Sequence, residues 1–436
     1  MNRKSRLLML CVGITVVLSG CGGTGEGQES GKTEEKKKEP FTMKIWGGGV
    51  TPKEFDDRFR AMLTQKFPHI TVEYIQARTG AGTTMPELVA AGQIPDVIRF
   101  DIPTIMTDYL DLQLGYDLTE LVKKSKYDTN RFVKVFMDEV VEAGRSGALY
   151  GLPVPPYFPY VLYYNKDLFD KFGVPYPKDG MTWDEVYDIA KKMTRTEGGA
   201  SYRGFSLNPV SALRDNPFSL PVLDPGADKL ADPEKWQKLF ANLKRFYDIP
   251  GNQIEPTSSS ENTAFNKGNV ALMPNQHSVY LTIPAEVNWD IVSYPTLDGA
   301  PKLAPQRGPA YLGISKTSQH KEEAFEVMMA MLSDEMQLAD SKKGIATTLN
   351  NKDIEKALGT GDPVYSKKHM SAVNFYAPTP YTQKRKQGLA EVPGATQQTL
   401  AGNAFIEVAQ GKTDVNTALR QLEEKLKAEV EKLKNK

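Results

Sequence analysis

Eight side chains of this sequence are suited to chemistry of a non-covalent kind: Trp46, Asp101, Tyr157, Tyr160, His277 and Tyr311, with Gln276 and Arg78 as polar support. Flat aromatic rings cover weakly apolar C–H faces, while carboxylates, amides and guanidinium groups satisfy several hydroxyls at once. That mixture fits a polyhydroxylated ligand such as a sugar. Three glycines, Gly47, Gly48 and Gly49, follow Trp46 and allow close backbone approach there. Tyr157 and Tyr160 sit in a proline-rich stretch whose extended backbone could present their rings.

Bond-making machinery is harder to find. The four histidines, His69, His277, His320 and His369, have no metal-site spacing, and no His-Glu-x-x-His, Gly-x-Ser-x-Gly or Walker loop occurs. No cofactor is therefore expected. Paired carboxylates need no motif, so a secreted carbohydrate-active enzyme, a lyase or glycosidase, stays open as an alternative reading. A surface adhesin is a third, though it gives no reason for these aromatic and polar residues to gather.

The elements that must position them alternate between strand and helix. FTMKIW reads as a strand with Phe41, Met43 and Ile45 on one face; Phe55, Phe59 and Met62 form a helical stripe; Pro68 stops it before the strand HITVEYIQ. A helix around Met85 to Ala91 ends at Gly92, and DVIRF delivers Asp101. This α/β order implies a mostly parallel sheet, whose ligands bind beyond the carboxyl ends of the strands. Trp46, Gln76, Arg78 and Asp101 occupy those ends. Competing roles are core packing for Trp46, a plain surface position for Arg78, and capping of the next helix for Asp101, since Pro103 follows.

The middle of the chain is more specific. It carries Tyr150-Gly151-Leu152-Pro153, then Tyr164-Asn165-Lys166-Asp167-Leu168, a helix signal stopped by Gly173, and Thr182-Trp183-Asp184-Glu185, a capping box before the stripe Trp183, Val186, Ile189, Ala190 and Met193. In order and spacing these resemble the signature of family 1 extracellular solute-binding proteins of ABC importers, the sugar-binding lipoprotein group that includes maltodextrin-binding protein. FNKGNVALMPN and YLGISKTSQHKEEAFEVMMAML resemble the family's later segments, so the likeness covers nearly all of Phe41 to Lys436. One departure concerns the loop after the first of these segments, the Ala-Met strand, where the family often places a tryptophan. Here it reads Pro274 to Tyr280 without one, leaving His277 or Tyr280 to stack.

The resemblance implies a type II periplasmic-binding-protein-like fold of two α/β lobes with a hinge and an interlobe cleft. The first lobe would take residues 41–155 with a return segment 297–340, and the second residues 156–296 with the C-terminal segment 341–436. It also implies a carbohydrate ligand, docking on the transmembrane subunits of an ABC permease, a monomeric receptor and no enzymatic activity.

The N-terminus supplies an address. A basic head of Arg3, Lys4 and Arg6 precedes the apolar run Leu7 to Leu18, about 12 residues and too short to span a bilayer. Leu18-Ser19-Gly20-Cys21 resembles a bacterial lipobox. The expectation is a signal peptide over residues 1–20, lipid on Cys21, a disordered tether over 21–40 and anchorage on the outer face of the cell membrane. Cys11 falls inside the signal, so Cys21 has no thiol to pair with in the mature chain. Lys plus Arg and Asp plus Glu both total 54, giving no electrostatic case for nucleic acid. The last helix shows one apolar stripe, Val415, Leu419, Leu422, Leu426, Val430 and Leu433, and an otherwise solvated face.

Overall fold

The computed structural model describes residues 39–386 and 388–435. The expected signal peptide, the lipidation at Cys21 and the tether up to residue 38 lie outside the described residues.

Two sheets organise the chain. The first contains β1 (Phe41–Gly47), β2 (Ile70–Gln76), β3 (Val97–Asp101), β4 (Leu152–Val154) and β11 (Ala310–Ile314) in the order β2-β1-β3-β11-β4. β1 runs parallel to β2 and β3, and β11 lies antiparallel to β3 and β4. The second contains β5 (Phe158–Asn165), β6 (Arg195–Glu197), β7 (Ala200–Phe205), β8 (Val270–Gln276), β9 (Trp289–Ser293) and β10 (Gln306–Arg307). Its order is β10-β5-β8-β7-β6, with β9 also on β5.

Alternation explains β1: Met43 and Ile45 are buried on the face that receives Phe55, Phe59 and Leu63 from the helical turns over 52–66. Met62, expected on that stripe, is only partly buried, because the turns contain a π-stretch at Asp56–Arg60 that shifts the phase. β3 is central, and every residue from Val97 to Phe100 is buried. In the second sheet's core the capping box forms as expected, Thr182 N–H donating to Glu185 Oε2 at 2.7 Å and Glu185 N–H to Thr182 Oγ1 at 3.3 Å. It starts helix Trp183–Met193, whose Trp183, Val186, Ala190 and Met193 are buried. Gly173 ends helix Lys166–Phe172 at φ 62°, a left-handed position that suits glycine.

The chain passes from the first sheet to the second between β4 and β5, and back between β10 and β11. Leu297 packs on the second sheet's core and Gln306–Arg307 pair with β5, so the return to the first sheet starts at Ala310. Leu349 and Ile354 still pack in the first core, beyond residue 340. A further cluster holding Phe136, Tyr157, Val161, Ala346 and Met370 draws on segments adjoining both sheets. Arg58 braces one crossing, its Nη2 donating to the Pro155 carbonyl at 3.2 Å. Among the described residues no helix is long and apolar enough to cross a membrane.

Candidate functional site: a cleft between the two sheets

β3 ends at Asp101 and the backbone turns at once into Ile102–Thr104, followed by Met106–Leu110. From this segment residues 102–107 and Asp111 form one wall of a cleft of about 510 Å³, together with Arg145 at the end of helix Lys134–Gly144. β7 leads to helix Pro209–Arg214, capped by Asn208, whose side-chain oxygen accepts the Ser211 N–H at 3.2 Å. The loop after that helix, the stretch 379–385 and the first turn of helix Gly394–Ala409 make the opposite wall.

The second wall is built around Asp215. This buried carboxylate receives Arg214 Nε at 2.7 Å and Nη2 at 2.5 Å, and Gln276 Nε2 at 3.0 Å from the end of β8. Arg214 is thereby fixed side-on, with donors left over. Asn216 shapes the loop, donating to the carbonyls of Leu213 and Leu220 while accepting the N–H groups of Phe218 and Leu220. Arg145 pairs with Glu391 across the cleft at 2.6 Å. Tyr381 lines the cleft and packs against the apolar cluster of Phe100 and Tyr109 behind the first wall. Fixed hydrogen-bonding groups beside an apolar lining of Ile105, Leu220 and Val222 can hold a polar organic ligand. Among the described residues no group of His, Cys, Asp and Glu is arranged to hold a metal ion.

None of the eight residues singled out from the sequence lines this cleft, and two adjoin it. Gln276 reaches it through Asp215. Asp101 precedes Ile102 and pairs with Arg307 at 2.9 Å; its side chain does not cap the turn that begins at Ile102. Trp46, Asp101 and Tyr157, expected in one crevice, are apart. Trp46 is core, 1% exposed, its indole N–H donating to the Thr83 carbonyl at 2.8 Å. Arg78 stacks its guanidinium 5.8 Å from that ring and pairs with Asp108. Tyr157 is buried and donates to Asn374 Oδ1 at 2.9 Å. Tyr160 is buried in the second core, edge-on to Tyr294. His277 is buried among Tyr157, Phe158 and Tyr280, with no partner for Nδ1. Tyr311 is buried, donating to the Phe136 carbonyl at 2.8 Å and bonded to Glu139.

Arg145, Arg214, Asp215, Tyr381 and Lys384, which do line the cleft, had not been singled out. The one signal available was the Asn208-x-x-Ser211 cap, which announces a short helix ending at Arg214-Asp215.

Two buried groups near this region set a pH dependence. Burial pushes the Glu139 carboxyl up to about 8 from 4.5, and it pushes His277 down to about 3 from 6.5. Between pH 6.5 and 8 the folded state keeps the Glu139 proton that the unfolded chain releases, so stability falls as pH rises. Below pH 4.5 the unfolded chain holds the His277 proton that the folded state refuses, so stability falls as pH drops towards 3. Between 4.5 and 6.5 the two slopes cancel. Each limb approaches about 1.4 kcal/mol per pH unit. Urea melts across pH 3 to 9 should show this plateau, with Glu139→Gln flattening the alkaline limb and His277→Gln making the acid limb shallower, since the stability from carboxylates held low by hydrogen bonds, Glu87 and Glu185 among them, is also lost there.

The model of the family described as bacterial extracellular solute-binding protein matches residues 50–338. An uncharacterized ABC transporter extracellular-binding protein of Pyrococcus horikoshii is 26% identical over 204 residues, a stretch that spans 44% of this chain and 44% of that relative. Solved structures of like fold include a sugar transporter of Rhizobium etli in an open conformation (TM-score 0.68, 21% identity, 89% of this chain and 99% of that one). A second is an ABC substrate-binding protein of Listeria monocytogenes in complex with cycloalternan (0.67, 20%, 89% and 98%). A third is the sugar-binding protein MalE of Xanthomonas citri (0.68, 18%, 90% and 98%). At these identities the likeness establishes the two-lobe fold.

Proposed function

The chain belongs to the bacterial extracellular solute-binding proteins, and on that premise we propose that it captures a saccharide in the cleft between its lobes and delivers it to the permease of an ABC importer. The observation that carries this reading is the cleft itself. Its walls come from 102–111 on one side and from 214–223 and 379–398 on the other, so a bound molecule touches both lobes. The cycloalternan of the Listeria neighbour and the sugar-binding description of the Xanthomonas one support a saccharide as the occupant.

Arg214 and Asp215 are the hydrogen-bonding pair on one lobe, and Tyr381 is the ring available for a C–H face. Ligand favours a closed arrangement only to the extent that it binds that arrangement better. Hinge rotation falls at the crossings between β4 and β5 and between β10 and β11. Lipid on Cys21, followed by a tether, keeps a monomeric receptor near its permease and raises the local concentration there. Energy for transport comes from an ATPase separate from this chain, whose sequence carries no Walker loop.

A thermal-shift panel of neutral and acidic oligosaccharides tests the reading. A saccharide bound at 100 times its Kd stabilises the folded form by about 2.7 kcal/mol and raises the melting temperature. Release of cleaved or unsaturated sugar during that panel would favour a lyase or glycosidase instead.

A further inference from the structure

The cleft's cations can be accounted for one by one. Arg145 is paired with Glu391, Arg214 with Asp215, and Arg385 with Asp228. Lys384 is different. Among the described residues its ammonium has no carboxylate within ion-pair distance; it lies over the Tyr381 ring, 4.8 Å from Nζ to the ring centre. The surrounding charges are Glu391, Glu139, Arg145 and Glu142. Glu391 is already engaged by Arg145, Glu139 is bonded to the Tyr311 hydroxyl, and Glu142 is exposed to solvent. Asp111, an acidic residue on the first wall, is likewise exposed.

Lys384 is also held where it is. Upstream, Thr379 N–H donates to the Ala304 carbonyl at 2.9 Å and the Thr379 carbonyl accepts Gln306 Nε2 at 2.9 Å. Downstream, Arg385 Nη1 donates to the carbonyls of Asp224 and Ala227, both at 2.8 Å, and Lys386 N–H donates to the Pro225 carbonyl at 2.8 Å. Residues 380–384 are thus a short strap pinned at both ends to one wall. A partly buried ammonium on such a strap has lost water without gaining an ion-pair partner, which is costly unless a ligand supplies the anion. Burial accordingly lowers its pKa. Helix Gly394–Ala409 opens on the same cleft with no acidic residue in its first turn, so its dipole adds to the positive potential.

We propose that Lys384 is the counter-ion for an anionic group on the captured saccharide, a uronate carboxylate or a sulfate ester. This rests on the saccharide reading above and narrows it to charged sugars.

Calorimetric titration of the full chain with matched probes tests it: digalacturonate against galactobiose, glucuronosyl-xylose against xylobiose, and a sulfated galactobiose against the unsulfated one. The expected result is at least tenfold tighter binding of a charged member than of its neutral partner. Lys384→Met should cut that ratio at least tenfold and Lys384→Arg should retain most of it, with thermal melts confirming that both variants are folded. Preference for the carboxylate pairs assigns a uronate, and preference for the sulfated one a sulfate ester. Equal binding within every pair, or a preference that survives in Lys384→Met, overturns the inference while leaving the saccharide reading in place. No binding by any probe overturns both.

Discussion

If the cleft takes a saccharide as proposed, replacing Arg214 with alanine should lower its affinity by roughly 100-fold, the loss of about 2–3 kcal/mol expected when a charge-assisted donor is removed. Arg214 spends two of its five N–H groups on Asp215, so three remain for a ligand. Because Asp215 is itself held by Gln276, the guanidinium is positioned before the ligand arrives and little side-chain freedom is lost on binding. Isothermal titration with the tightest saccharide of the panel measures the effect. Arg214→Lys should recover only part of the affinity, since an ammonium cannot reproduce the planar fork. Gln276→Ala should cost less, about tenfold, as it acts through Asp215.

The second large effect concerns stability. Arg58 and Asp340 form an ion pair with side chains 3% and 2% exposed, Nε to Oδ1 at 3.1 Å and Nη2 to Oδ2 at 2.7 Å. Arg58→Met strands a carboxylate in the interior and should destabilise the protein by about 3–5 kcal/mol in urea unfolding. The double variant Arg58→Met with Asp340→Leu should recover most of that loss, because it removes the unpaired charge. It also deletes the brace on the Pro155 carbonyl, so saccharide affinity in the double variant reports whether that crossing matters for closure.

What the sequence conveyed was mainly scaffold. Period-two alternation in Phe41–Gly47, the Thr182 box and the Gly173 stop are local rules, and each appears where its spacing put it. The motifs that carried the family resemblance are structural too. A Cβ on Gly151 would come within 2.9 Å of Phe100, so Tyr150-Gly151-Leu152-Pro153 serves close packing in the first sheet. The same reason accounts for Gly47, the first of the three glycines after Trp46. A Cβ on Gly47 would lie 2.7 Å from the Arg99 Cβ, so Gly47 is there for its sheet neighbour and Trp46 is core.

The cleft was not legible because its walls are irregular segments far apart in the chain. No periodicity marks 102–111, 214–223 or 379–398, and their meeting depends on the packing of both sheets. A tyrosine at a strand end can equally face a cleft or a core. Tyr311 went to the core because Glu139 and the Phe136 carbonyl supply its hydroxyl with partners there.

Hydrogen–deuterium exchange with and without a binding saccharide tests the central claim most directly, because it reads both walls at once. Capture between the lobes predicts slowed exchange in 102–111, 214–223 and 379–398 together. Protection confined to one wall, or falling on segments away from all three, would contradict it.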